Sequence, residues 1–185
     1  MDRNFRLQRN RAALLIIDVQ DKLILLEDRS VEVLGSIQKC IKGFQILGMP
    51  ILASEQYPEG LGQTVAGIKC LLGAKQKYLT KTTFSCLADS DINKEIVGMP
   101  IDQWILVGIE AHVCVLQTAK DLIAAGKQVV VLNDAITSRS IYDFSTAIAE
   151  MRDIGVRISS VETVLFELLQ HSKADEFKKI SQLIK

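Results

Sequence analysis

One pattern recurs along the chain and limits what it can fold into. A stretch with helical spacing is followed by a glycine able to close the helix in the left-handed conformation, and within a few residues by a β-branched apolar run. It reads QILGMPILAS, EIVGMPIDQWILVG, IAAGKQVVVLND and MRDIGVRISSVE. Ahead of the first stands RAALLIID, a near-continuous apolar run that fits a strand buried on both faces. Strands alternating with helices predict parallel strands joined by right-handed crossovers. The expected fold class is therefore α/β, a three-layer α/β/α sandwich with a mostly parallel central sheet. Apolar residues at three- and four-residue steps mark the covering helices: Val33, Ile37, Ile41, Phe44 and Leu47; then Val115, Ala119, Leu122 and Ile123; then Ile148, Met151 and Ile154. Thr163 to Leu169 and Ala174 to Ile184 read as two closing helices.

With 185 residues, 48% of them hydrophobic, the chain can bury one substantial core but not two, so residues 1–185 are expected to form a single domain. Basic and acidic residues balance at 22 each without a basic run, which argues against a nucleic acid partner. The longest apolar runs, Ala12 to Ile17 and Val129 to Leu132, have strand length and fall short of a membrane span. The N-terminal MDRNFRLQRN lacks the apolar core of a signal peptide. Cys40, Cys70, Cys86 and Cys114 show no C-x-x-C spacing, and a chain of this size needs no disulfide staples, so a reducing, cytoplasmic setting is expected.

Ligands of open parallel sheets bind outside the carboxyl ends of the strands. Strand one delivers Asp18 there, with Gln20 just beyond; the strand around Tyr78 delivers Lys81; the strand ending at Val107 delivers Gly108 to Cys114; the strand from Gln128 delivers Asn133 and Asp134. The irregular stretch from Glu55 to Lys81, with Tyr57-Pro58-Glu59-Gly60, reads as a pocket rim. Most lone cysteines are small buried hydrophobes, and Cys40 and Cys70 fit that reading within apolar helical patterns; Cys86 stays open. Cys114 differs in lying near a helix N-terminus, where unpaired N–H groups and the helix dipole favour thiolate. A carboxylate can take a thiol proton and a lysine can orient that carboxylate, so Asp18, Lys81 and Cys114 together point to chemistry more than any one of them does. His112 stands two residues from Cys114, which on a helix turns their side chains apart.

No G-x-G-x-x-G follows a strand, and neither a P-loop nor a G-x-S-x-G elbow is present. A receiver-type domain would need an acidic phosphoacceptor where this chain has Val107-Gly108. Two histidines without zinc-like spacing leave no expected metal, and no cofactor is implied.

With these residues placed, the chain resembles the isochorismatase-like cysteine hydrolases through ALLIIDVQ, TKTTFSC around Lys81, ILVGIEAHVCVLQTA and VVVLNDAITSRS, in the family's order from residue 13 to 140. SEQYPEGLG and GIEAHVC are most similar to the isochorismatase-domain-containing branch. The resemblance implies a Rossmann-like topology, Asp18 as general base and acid, Lys81 as its electrostatic partner and Cys114 as nucleophile. It also implies a cis peptide between Ile109 and Glu110 and an oxyanion hole from the backbone N–H groups of Glu110 and Cys114. Nicotinamidase-type members carry an Asp and two His as metal ligands after the second strand, whereas this chain reads Ser54-Glu55-Gln56-Tyr57-Pro58. Tyr57 would instead line a substrate pocket, with Phe84 and Ile136 as apolar walls and Gln20 nearby.

The expected activity is metal-independent hydrolysis of a C–N bond in a small amide-like molecule through a thioester, and the resemblance implies a homo-oligomer. Hydrolysis of a vinyl ether stays open as a different use of the same pocket. The rival is a catalytically silent member of the fold that binds a ligand or serves assembly.

Overall fold

In the computed structural model, which describes residues 5–185, the strand at the centre of the sheet is the one with the most continuous apolar run. β1 (Ala12–Ile17) is buried along its whole length. Ala12, Leu14 and Ile16 face one core, and Ala13, Leu15 and Ile17 the other. Six strands pair in parallel in the order β3-β2-β1-β4-β5-β6, with β2 at Ile51–Gln56, β3 at Tyr78–Lys81, β4 at Gln103–Gly108, β5 at Gln128–Ile136 and β6 at Arg157–Ser159. Every one of these pairings is parallel, so the sheet is wholly so. The order reverses between β1 and β4, and such a switch point opens a crevice at the carboxyl ends.

The helices cover both faces. On one side, α2 (Ser30–Ile46) follows the short α1 (Asp21–Ile24), and two further short helices, α3 (Pro58–Leu61) and α4 (Ala66–Leu72), precede β3. On the other, α5 (Ser90–Gly98), α6 (Leu116–Ala124) and α7 (Ile141–Asp153) pack their apolar stripes, with Ile92, Ile96, Ala119, Leu122 and Met151 all buried. The closing helices α8 (Val161–Leu169) and α9 (Phe177–Ile184) return to the α2 side, where Val164, Leu165, Leu168 and Ile180 join Ile37, Ile41 and Phe44. These faces are the layers that the three- and four-residue spacing requires.

The helix-closing glycines divide. Gly48, Gly126 and Gly155 adopt positive φ, as the recurring pattern implies. Gly98 does not: it stays within α5, and the following Met99 is extended. The proline two residues on is not the reason, because Gly48 is followed by the same Met-Pro pair and still turns left-handed. Among the described residues no helix is long and apolar enough to cross a membrane. The first four residues of MDRNFRLQRN lie outside the described part.

Candidate active site

Directly after β1 the chain turns at Asp18 with φ +52, a left-handed conformation that residues with side chains seldom adopt and that is concentrated at functional positions. The turn buries the carboxylate completely. Ser54 Oγ, from β2, donates to its Oδ1 at 2.7 Å, and Lys81 Nζ, from the end of β3, donates to its Oδ2 at 2.6 Å. Lys81 also donates to Gln56 Oε1 at 2.7 Å and to the carbonyls of Thr83 and Phe84 at 3.2 and 3.0 Å. Sheet register makes this convergence possible, since Gln56 pairs directly with Lys81. Burial disfavours a charged Lys81, but the Asp18 charge and the hydrogen bond to it outweigh it and hold the ammonium above its ordinary pKa.

Cys114 enters from the other side of the switch point. Beyond β4, a π-helical turn (Ala111–Val115) leads into α6, and the Cys114 thiol on this turn lies beside the Asp18 carboxylate, close enough for each to feel the other. The expectation of a dipole-favoured thiolate is corrected here. Burial first, and the Asp18 charge second, push the thiol pKa well up, with Lys81 opposing. Cys114 is 6% exposed, and loss of water outweighs the half-charge of a helix end. The resting group is a thiol beside a carboxylate.

The loop between β4 and the π turn depends on one glycine. Gly108 pairs with Ile17 at φ +129, and a Cβ there would lie 2.1 Å from the Ile17 carbonyl oxygen. No larger residue fits where the two strands part. Ile109 N–H then donates to that same oxygen at 2.9 Å, the Ile109-Glu110 peptide is cis, and Ala111 N–H donates to the Thr137 carbonyl at 2.7 Å.

The other sequence candidates separate by burial. Tyr57 and Phe84 are exposed beside the site, whereas Gln20 and Ile136 have no exposed surface. Gln20 is a clamp rather than an open wall: its amide donates to the carbonyls of Gln56 and Gly62 at 2.9 and 2.6 Å, and its Oε1 accepts from Gln56 N–H at 2.7 Å. His112 turns away from Cys114, with Nδ1 2.9 Å from Ser138 Oγ. Asp134 accepts from the N–H of Val161 at the start of α8, a helix-capping role. Cys70, expected on an apolar face, is exposed. Among the described residues no group of three or more His, Cys, Asp and Glu side chains could hold a metal ion.

Three members of the site were not singled out in the sequence. Ser54 and Gln56 each bond a charged group, and Cys86 lies buried with Sγ 3.6 Å from Ser54 Oγ. Burial and the Asp18 charge raise the Cys86 thiol to about 11. Ser54 and Gln56 left a usable signal, since polar residues in a strand buried along ILASEQ need partners.

The isochorismatase domain model matches residues 12–163, a span that includes every strand and every residue of this cluster. The chain belongs to the isochorismatase family. Isochorismatase domain-containing protein 2 of Danio rerio is 36% identical over 181 residues, 97% of this chain and 89% of that protein. The secreted isochorismatase effector Isc1 of Phytophthora sojae is 36% identical over 183 residues, 97% of this chain and 87% of the other. Among solved structures, one described as the MAR1 ribonuclease of Caenorhabditis elegans superimposes with a TM-score of 0.91 at 34% identity, covering 97% of this chain and 92% of that one. These relatives place this isochorismatase-family chain in the branch of isochorismatase domain-containing proteins, and membership supports a hydrolase.

Proposed function

We propose that this family member is a single-domain, metal-independent cysteine hydrolase that cleaves the C–N bond of a small amide-like substrate. One observation carries the reading: a buried thiol at Cys114 beside a carboxylate, Asp18, both of whose oxygens are already fixed by Ser54 and Lys81. A base held this way can take the thiol proton without reorganising.

In the proposed reaction Asp18 accepts the Cys114 proton as sulfur bonds to the substrate carbonyl carbon. The oxyanion is held by the backbone N–H groups of Glu110 and Cys114. Collapse breaks the C–N bond, and Asp18 returns the proton to the leaving amine. Water, deprotonated by Asp18, then attacks the thioester, releasing the acid while the proton goes back to Cys114 sulfur. Tyr57 and Phe84, exposed beside the site, supply an apolar wall for the substrate. Free cysteines at all four positions favour a reducing, cytoplasmic setting, and assembly into a homo-oligomer accompanies the reading. The name of the C. elegans neighbour attaches RNA cleavage to that protein; a balance of 22 basic and 22 acidic residues gives this chain no general attraction to phosphate backbones.

The test is a screen of small amides, with mass spectrometry of the Cys114 peptide to catch the acyl-enzyme. Cys114→Ala is expected to abolish turnover with an unchanged melting temperature. Undiminished turnover in that variant would sink the mechanism.

A further inference from the structure

Glu27 is a second buried acid, and it has no donor. It follows α1, is 7% exposed, and neither of its carboxyl oxygens accepts a hydrogen bond. A carboxylate in that position would lose its hydration for nothing in return. Its neighbour is Glu110, the residue after the cis peptide, whose Oε1 forms an ion pair with Arg139 Nε at 2.6 Å. Two adjacent carboxyl groups can resolve the conflict by keeping one proton, which lets a neutral Glu27 donate its hydroxyl to Glu110. Burial first, then the charge of Glu110 and the bond to it, raise Glu27 to about 8, with Arg139 opposing.

The pair is built into the loop that carries the site. Asp28 N–H donates to the Ser138 carbonyl at 3.3 Å, and Thr137 Oγ1 donates to the Asp28 carbonyl at 2.6 Å. The Thr137 carbonyl in turn accepts from Ala111 N–H, the residue after Glu110. Three segments, around residues 27, 110 and 138, are thus one hydrogen-bonded unit. The charged groups that face Glu27 are Glu110, on the approach to the π turn, and Arg139, from the segment after β5. On its own segment Asp28 and Arg29 lie 3.7 Å apart, and His112 turns to Ser138.

We propose that Glu27 is a positioning residue: as a neutral acid it donates to the Glu110 carboxylate and, with Arg139 on the other side, fixes the Glu110 peptide so that its N–H faces the substrate oxygen. The inference rests on the oxyanion role given to Glu110 in the proposed reaction. Loss of the Glu27 proton would set two anions against each other and loosen that peptide, so the positioning should fail on the alkaline side.

The experiment separates positioning from general damage by using two probes of the same thiol. Acylation of Cys114 by an activated p-nitrophenyl ester needs the oxyanion donors; alkylation by iodoacetamide does not. Glu27→Ala should slow acylation at least about tenfold while leaving alkylation little changed, because a misplaced donor forfeits part of the effect of a missing one. Glu27→Gln, which keeps an N–H donor, should acylate like the unsubstituted protein near neutral pH and lack its decline above about pH 8. In parallel, carbon-13 NMR of labelled glutamate carboxyls should show one group titrating near that pH, absent from Glu27→Gln. Equal loss of both rates in Glu27→Ala, an alkaline decline retained in Glu27→Gln, or no such carboxyl signal would each overturn the inference. A protein alkylated at Cys114 yet never acylated would overturn the hydrolase reading and the oxyanion role with it, while the NMR titration still decides whether the acids share a proton.

Discussion

Asp18 and Glu27 lie nine positions apart in sequence, both are buried, and they solve burial in opposite ways. Asp18 has a donor on each oxygen and a lysine as counter-ion; Glu27 has no donor and an anion as neighbour. The first is a carboxylate positioned to accept a proton. The second is an acid whose proton is already placed. The difference teaches that burial alone does not set the role of a carboxyl group; the partner at hydrogen-bonding distance does.

The sharpest way to break the contrast is Lys81→Met, which leaves Asp18 buried without its cation. Removing one partner of a buried pair typically destabilises by about 3–5 kcal/mol. Denaturant melts at neutral pH should show a loss of that size, partly recovered when Asp18→Asn is added. An Asp18→Asn, Lys81→Met double variant as unstable as the sum of the two single ones would show that they act independently. Next in size is Ser54→Ala, which frees one Asp18 oxygen. Loss of a hydrogen bond to a charged group should cost about 1.5–3 kcal/mol in the same melts and slow acylation of Cys114, because the base can now turn. A full-speed Ser54→Ala variant would mean that Lys81 alone orients Asp18.

The smallest effect at mildly acid pH sharpens the other half of the comparison. Glu27→Gln should change stability there by about 1 kcal/mol or less, since a neutral donor replaces a neutral donor. Its signature is the pH dependence. An unfolded glutamate titrates near 4.5 and folded Glu27 near 8, so between those values the folded state holds a proton that the unfolded state has lost. Stability therefore falls as pH rises through that window and levels above it. Melting temperature against pH should show this slope, and Glu27→Gln should flatten it.

Much of this was readable from residue patterns. The alternation of helix, glycine and apolar strand implied a parallel α/β sandwich, because two-sided burial of β1 requires helices on both faces, and the same logic brought Asp18, Lys81 and the Gly108 to Cys114 loop to one edge. Gly98 shows the limit of a local rule, since the same Gly-Met-Pro tripeptide ends α2 with a left-handed glycine and α5 without one. Ser54, Gln56 and Cys86 were missed because partners 25 to 36 residues away in sequence give them meaning, and those partners arrive only through strand register. The chain by itself determined which elements form and which reactive residues fall at strand ends, since both follow from periodicity and from where apolar runs stop. Only the tertiary structure decided protonation: whether Cys114 rests as thiol or thiolate, and whether Glu27 is charged, depends on desolvation and on which side chain sits within about 3 Å, quantities that no local pattern encodes.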